Sequence, residues 1–282
     1  MNAPQFTNIH SGLGSRVEGL DLGAVVDPPA RAELVRKLAE RKVLVFERQN
    51  LSAEQFHTFA SGFGPLQVHV LVKYRHADYP GLSWLTNVAS DGSVDKFGVT
   101  RATSWHSDGS YTHEPPAIGI LYALEVPATG GGTLFADMCR AYEELSDVDR
   151  EHVARLTGLH RHGAGPGGSM YDNSLSDDQA EAHEDAVHPA VVQHPTSGDH
   201  VLYVNTTHTR KFRELPQPDS EQLINRLVAS ATGPSDVYEH QWKVGDLLMW
   251  DQCATIHRGA GDYPPEQRRV KLRAIVQSIE LS

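Results

Sequence analysis

His106-Ser107-Asp108 and, far downstream, Met249-Trp250-Asp251-Gln252-Cys253-Ala254-Thr255-Ile256-His257-Arg258-Gly259 are the stretches on which the reading of this chain turns. Two imidazoles and one carboxylate on one face of a metal ion leave the opposite face open. That donor set suits a non-heme Fe(II) oxygenase better than a closed structural site. In a short strand or turn, residues i and i+2 point the same way, so His106 and Asp108 can chelate together. The third ligand has to be returned by the fold. H-x-D alone is common, and a chain with 16 histidines supplies a downstream His by chance. The weight therefore rests on the residues around the triplet.

Composition narrows the field. A chain of 282 residues with 39% hydrophobic and 22% charged residues has ample length for a core. No apolar run approaches the ~18 residues of a membrane span. The start, Met1-Asn2-Ala3-Pro4-Gln5-Phe6, lacks the basic and apolar segments of a signal peptide, so a cytoplasmic protein is expected. Cys139 and Cys253 share no motif and are expected to be free, and Cys253 has no base beside it to make it a nucleophile. A net charge of −11 argues against a nucleic-acid partner. It leaves room for a small anionic substrate, since a few local arginines can bind a carboxylate.

Along the chain, Ser15 to Leu22 alternates like an edge strand. Asp27-Pro28 pairs an N-cap with proline at the first helical position, and Leu34, Val35 and Leu38 give that helix one apolar face. Val43-Leu44-Val45-Phe46 reads as a buried strand. Ser52 with Gln55 forms a capping box for a helix carrying Phe56, Phe59 and Ala60, which Gly62-Phe63-Gly64-Pro65 stops. Ile118 to Val126 is β-like. Gly130-Gly131-Gly132 turns into a strand at Thr133-Leu134-Phe135, and no Gly-Lys-Ser/Thr follows to cradle a phosphate. Residues 163–200 are polar and aperiodic, which predicts a long loop or lid. Ser220 is expected to cap a helix with Leu223, Ile224, Leu227 and Val228 on one side. Val237 to Trp242, Asp246 to Trp250 and Val270 to Ile279 read as strands. With no repeat and no linker, residues 1–282 are expected to form one mainly β domain with flanking helices.

These motifs and their order resemble the taurine dioxygenase / 2,4-dichlorophenoxyacetate dioxygenase (TauD/TfdA) family of Fe(II)- and 2-oxoglutarate-dependent enzymes. The resemblance runs through Gly19-Leu20-Asp21-Leu22, Phe63-Gly64-Pro65-Leu66, Trp105-His106-Ser107-Asp108 and Gly131-Gly132-Thr133-Leu134. It continues through Gly245-Asp246-Leu247-Leu248-Met249-Trp250-Asp251, His257-Arg258-Gly259 and Arg268-Arg269-Val270-Lys271-Leu272-Arg273. It implies a double-stranded β-helix (jelly-roll) core with His106, Asp108 and His257 as the iron triad. It also implies 2-oxoglutarate on two of the remaining iron positions and O2 on the third.

The far carboxylate of 2-oxoglutarate needs a buried cation. The resemblance assigns this to Arg269, with Thr133 as hydroxyl partner, while one extra residue after His257 keeps Arg268 as an alternative. Strand alternation puts Arg269, Lys271 and Arg273 on one face and Arg268 on the other. Arg273 and His69 match substrate-contacting positions, and Val72 stands where taurine-specific members have a tyrosine, with Tyr74 two residues on. Arg101 is a further candidate cation, and Asn205 and Thr206 align with a pocket-lining region. His160 and His162 form an H-x-H pair without a carboxylate and are read as loop residues. Asp108 retains the carboxylate that related halogenases lack, so hydroxylation is the default outcome, with C–O cleavage or desaturation as variants.

The leading expectation is oxidation of a C–H bond in a small, carboxylate-bearing, aryloxyalkanoate-like molecule. A tailoring dioxygenase acting on an amino-acid-derived acid is the alternative. A metal-dependent hydrolase or isomerase and a small-acid sensor are remote ones. Family members are often homo-oligomers, and this chain shows no distinctive interface segment.

Overall fold

A computed structural model describes residues 3–69, 72–89, 91–100, 102–168 and 184–281. Its first strands are β1 (Gln5–Asn8), β2 (Ser15–Glu18), β3 (Val43–Phe46), β4 (Leu82–Thr86), β5 (Ile118–Glu125), β6 (Thr133–Asp137), β7 (Thr157–His160) and β8 (Ala186–Pro189). Then follow β9 (Val191–Gln193), β10 (His200–Leu202), β11 (Thr209–Phe212), β12 (Val237–His240), β13 (Leu247–Asp251), β14 (Thr255–Gly259) and β15 (Val270–Val276). The helices are α1 (Pro28–Arg41), α2 (Ala53–Ser61), α3 (Met138–Glu143), α4 (Asp147–Val153) and α5 (Gln217–Ala231).

The main sheet has the order β1-β2-β3-β13-β5-β15-β4, and a second sheet has the order β12-β6-β14. Smaller sheets, β11-β7-β8 and β10-β9, lie beside them, so the described strands form separate sheets rather than a closed barrel. Pairing in the main sheet is antiparallel except between β2 and β3. This is the layered, mainly β jelly-roll architecture expected.

Period-2 alternation places the site. Leu44 and Phe46 of β3, Ile120 and Tyr122 of β5, Leu247 and Met249 of β13, and Leu272 and Ala274 of β15 pack with Leu34 and Leu38 of α1 and Phe56 and Phe59 of α2. The intervening residues, Val43, Val45, Leu121, Ala123, Leu248 and Trp250, point the other way and meet Phe135 and Trp242. The second sheet repeats the logic: Phe135 faces the main sheet, while Ala136 and Ile256 face α5 through Leu223, Ile224, Leu227 and Val228. Each sheet has helices outside and a shared interior between, and that interior holds the site.

Local signals act as read. The Asp27 side chain accepts from Ala30 N at 2.9 Å to start α1, and Ser52 and Gln55 bond reciprocally at 3.2 and 2.8 Å to start α2. Gly130 and Gly131 take φ of +69° and +72°, so the glycine run serves the turn into β6.

Several expectations are corrected. The edge strand is β1, which pairs outside β2. The predicted loop 163–200 contains strands β8 and β9. His194, buried at its end, ties a turn to Asp251 through Nε2 at 2.8 Å and accepts from Ser197 N at 3.0 Å. Ser220 sits inside α5 rather than capping it, because Pro216 sets the start and the Ser220 hydroxyl accepts from Phe212 N at 3.0 Å. β12 stops at His240, and β14, which carries His257, was not foreseen as a strand.

Candidate active site

Three chain segments converge at the interior. Residues 102–107 run along β14: Gly259 N donates to Ala102 O at 2.8 Å, and His106 and His257 form an isolated antiparallel bridge. Trp105 O is fixed by the hydroxyls of Thr206 and Thr207 at 3.2 and 2.9 Å. His106, Asp108 and His257 are all buried, and their ligand atoms lie within 4.8 Å of one another. Asp108 Oδ1 is 4.0 Å from His106 Nε2, and its Oδ2 is 3.8 Å from His257 Nε2.

The surroundings prepare these groups as ligands. His106 Nδ1 lies 2.8 Å from Ser104 O, leaving Nε2 for the site. Burial pushes the His257 imidazole down to about 3 and also lowers His106, so both are neutral lone-pair donors at neutral pH. Burial alone would raise Asp108, but Arg273, His257, His106 and the Gln252 amide together hold it below the ordinary carboxylate range. Gln252 was quoted in the sequence without a role. Its Nε2 donates to Asp108 Oδ2 at 3.1 Å and its Oε1 accepts from Asp108 N at 3.2 Å, while Ser107 Oγ donates to its carbonyl at 2.6 Å. Two neutral imidazoles and one braced carboxylate fit a divalent first-row metal.

Phe135, directly opposite His257 in the β6–β14 register, stacks on its ring at 5.8 Å, and Trp250 lies 5.0 Å away. Thr133, two residues before Phe135 on the same face, accepts from Trp242 Nε1 at 2.9 Å.

The two arginines that lead into β15 take opposite directions. Arg268 makes a two-pronged pair with Glu125 at 2.7 and 2.9 Å on the exposed side. Arg269 turns inward beside Tyr263, whose ring centre is 5.9 Å from the guanidinium carbon, and its buried Nε has no hydrogen-bond partner among the described residues. Asn87 brackets its backbone, accepting from Arg269 N at 2.8 Å and donating to Arg269 O at 3.2 Å. Arg273 reaches the triad, with Nη1 3.8 Å from Asp108 Oδ1 and Nε donating to Ser83 Oγ at 3.3 Å.

The other candidates divide. His69 sits on the segment outside β4, its ring against Tyr74 at 5.4 Å and its carbonyl accepting from Arg75 Nε at 2.6 Å. Arg101 lies outside the described residues. Asn205 is scaffold: Oδ1 accepts from Thr207 N and His208 N, and Nδ2 donates to Ser110 Oγ. What it positions is His208, a buried ring 6.2 Å from His106 and 4.8 Å from Tyr111 that the sequence reading passed over. Its Nδ1 accepts from Gly163 N at 3.1 Å. His160 packs on β7 against Tyr203 and His188, and His162 against Tyr111, so they form no metal pair. Both cysteines are free, and burial pushes the Cys253 thiol up to about 12, away from nucleophilic chemistry.

Fold and site together define a non-heme metal oxygenase built on a jelly roll. Residues 5–275 match the Taurine catabolism dioxygenase TauD, TfdA family, and the chain belongs to that family. It is 32% identical over 262 residues to the alpha-ketoglutarate-dependent 2,4-dichlorophenoxyacetate dioxygenase of Cupriavidus pinatubonensis, covering 89% of this chain and 90% of that one. It is 30% identical over 280 residues to pentalenolactone F synthase of Streptomyces arenae, covering 94% and 91%. Among solved structures, AAD-2 in complex with Mn(II) and N-oxalylglycine superposes with a TM-score of 0.86 at 29% identity, covering 99% of this chain and 98% of that one. A taurine dioxygenase from Burkholderia xenovorans gives 0.80 at 26% identity, covering 98% and 90%. The enzyme is thus a 2-oxoglutarate-dependent dioxygenase that uses Fe(II), 2-oxoglutarate and O2. Among the described residues, no helix is long and apolar enough to cross a membrane.

Proposed function

We propose that residues 1–282 form one catalytic domain that oxidises a C–H bond of a small carboxylate-bearing molecule, with an aryloxyalkanoate favoured. The observation that carries this reading is Arg273, whose guanidinium lies 3.8 Å from Asp108. A substrate acid group held there is delivered beside the metal ligands. The likeness to a 2,4-dichlorophenoxyacetate dioxygenase supports the substrate class, and hydroxylation next to an ether oxygen leads on to C–O cleavage.

His106, Asp108 and His257 are assigned as the iron ligands, and Gln252 holds the Asp108 carboxylate in orientation. Arg269 and Thr133 are assigned to the far carboxylate of 2-oxoglutarate. Fe(II), with O2 and the electrons of 2-oxoglutarate decarboxylation, supplies the oxidising power. Phe135 and Trp250 keep water from the back of the His257 ring. Arg273 and Ser83 orient the substrate acid group, and His208 lines the side next to His106. The likeness to pentalenolactone F synthase supports a second reading, a tailoring dioxygenase that hydroxylates or desaturates a biosynthetic acid. Two free cysteines fit a cytoplasmic enzyme.

The test is succinate release from Fe(II)-loaded protein with 2-oxoglutarate and O2 across aryloxyalkanoates, alkyl sulfates, sulfonates and biosynthetic acids. Strongest stimulation by an aryloxyalkanoate is expected. Stimulation confined to another class would replace the substrate assignment.

A further inference from the structure

Lys271 is a buried basic side chain with no part in the chemistry assigned to its neighbours. It lies on β15 two residues from Arg269 and two from Arg273, on their common inward face. Its side chain is wholly shielded from solvent, and Nζ has no hydrogen-bond partner among the described residues. The amine rests 3.4 Å from the centre of the Trp242 ring. Its neighbours across the sheet, Leu85 and Ala123, are apolar. Oδ2 of Asp246 is taken by His240 Nε2 at 3.0 Å and Lys243 N at 2.9 Å. Its buried Oδ1 has no hydrogen-bond partner among the described residues, and the carboxylate favours the charged amine from a distance without forming an ion pair with it.

A chain that only had to fill this space would be better served by Leu or Met, because a buried amine without a partner is costly. The cost is offset if the partner arrives from outside. Trp242, which the amine touches, donates its Nε1 to Thr133 Oγ1 at 2.9 Å, so Nζ, the indole and the Thr133 hydroxyl form one continuous wall. Arg269, next along the strand face, also has a buried unpartnered nitrogen. Two buried basic side chains on adjacent positions of a strand face can both carry their charge when an anion lies between them.

We propose that Lys271 is a second cation in the seat of the far carboxylate of 2-oxoglutarate, which is held between its ammonium and the Arg269 guanidinium. This rests on the assignment of Arg269 and Thr133 to that carboxylate. It makes Lys271 a positioning residue that selects keto acids carrying an anion at the far end.

Calorimetric titration of Mn(II)-loaded protein with 2-oxoglutarate and with 2-oxopentanoate, which has a methyl in place of the far carboxylate, tests it without turnover. Lys271→Met should weaken 2-oxoglutarate about thirty-fold or more, equivalent to roughly 2 kcal/mol, and 2-oxopentanoate by less than about threefold. Lys271→Arg should retain most of the 2-oxoglutarate affinity. Equal losses for both ligands, or no loss for either, would overturn the proposal. Arg269→Met keeps the two readings apart. If it spares 2-oxoglutarate while Lys271→Met does not, the Arg269 assignment fails and Lys271 stands. If Arg269→Met weakens binding and Lys271→Met does not, Lys271 is excluded from the seat. Should Lys271→Met fail to fold, Lys271→Gln removes the charge with a polar side chain, and the same ligand contrast decides.

Discussion

His106 and His257 donate to each other's carbonyls, at 3.0 and 2.7 Å, across a single antiparallel bridge, so main-chain hydrogen bonds hold the two imidazoles 4.3 Å apart between ring centres. Backbone pairing is thus sufficient to bring the two rings together. Chelation should therefore leave the far-ultraviolet circular dichroism unchanged. It should lower stability only by the binding linkage, about 2.7 kcal/mol relative to protein at a hundredfold excess of metal over its dissociation constant. Loss of secondary structure on chelation would contradict this.

Gln252 grips the Asp108 carboxylate from one side and its backbone N–H from the other. Gln252→Ala should weaken Fe(II) or Mn(II) binding by about 10- to 100-fold, as partners of metal ligands typically do when removed. Metal titration of the apoprotein checks it, and unchanged affinity would leave Gln252 a packing residue.

Arg268 and Arg269 are sequence neighbours with opposite fates. Arg269→Ala should raise the 2-oxoglutarate concentration needed for half-maximal succinate release by about two orders of magnitude, the scale of breaking a buried charge-assisted pair. Arg268→Ala, which removes an exposed pair with Glu125, should leave it unchanged. Reversal of the two effects would shift the strand assignment by one residue.

Arg273 separates substrate binding from co-substrate decay. If Arg273 holds the substrate acid as proposed, Arg273→Ala should reduce substrate-stimulated succinate release by at least about tenfold, with a smaller effect on the unstimulated rate. Parallel losses would mean that its proximity to Asp108 supports the metal site instead.

Lys271 also has a signature in stability. Burial, reinforced by Arg269, lowers its amine well below the usual range. The folded value is thus below the unfolded one, so at pH 7 the unfolded chain binds the extra proton and the fold is penalised. The penalty fades as pH rises toward the unfolded value near about 10.4. Lys271→Met should melt at least about 2 °C higher than the parent apoprotein at pH 7, with the gap closing by pH 10. A lower melting point at both values would contradict it.

Much of this was legible because the signals are local or periodic. The caps at Asp27 and Ser52, the apolar faces of α1 and α5, and the inward parity of Arg269 and Arg273 all depend on spacing along one segment. Gln252, His208 and the His194–Asp251 pair were not legible, because each acts on a residue far away in sequence. Strand β14 escaped notice because Cys253-Ala254-Thr255-Ile256-His257 shows no clean alternation. Both of its faces are buried, with Ile256 on one side and His257 on the other. Strands β8 and β9 are short apolar stretches set in a polar, aperiodic segment, so the composition of the whole described a loop where pairing with β7 and β10 makes strands.

The two-sided burial of β15 has a consequence for how the chain finds its fold. Leu272 and Ala274 face the helices, while Lys271 and Arg273 face the interior. A slip of one residue against β5 or β4 would drive those two charges into the hydrocarbon between sheet and helices and turn aliphatic side chains toward the metal ligands. These two basic side chains thus also proofread strand pairing, penalising a one-residue misregister of β15 whether or not anything is bound between the sheets.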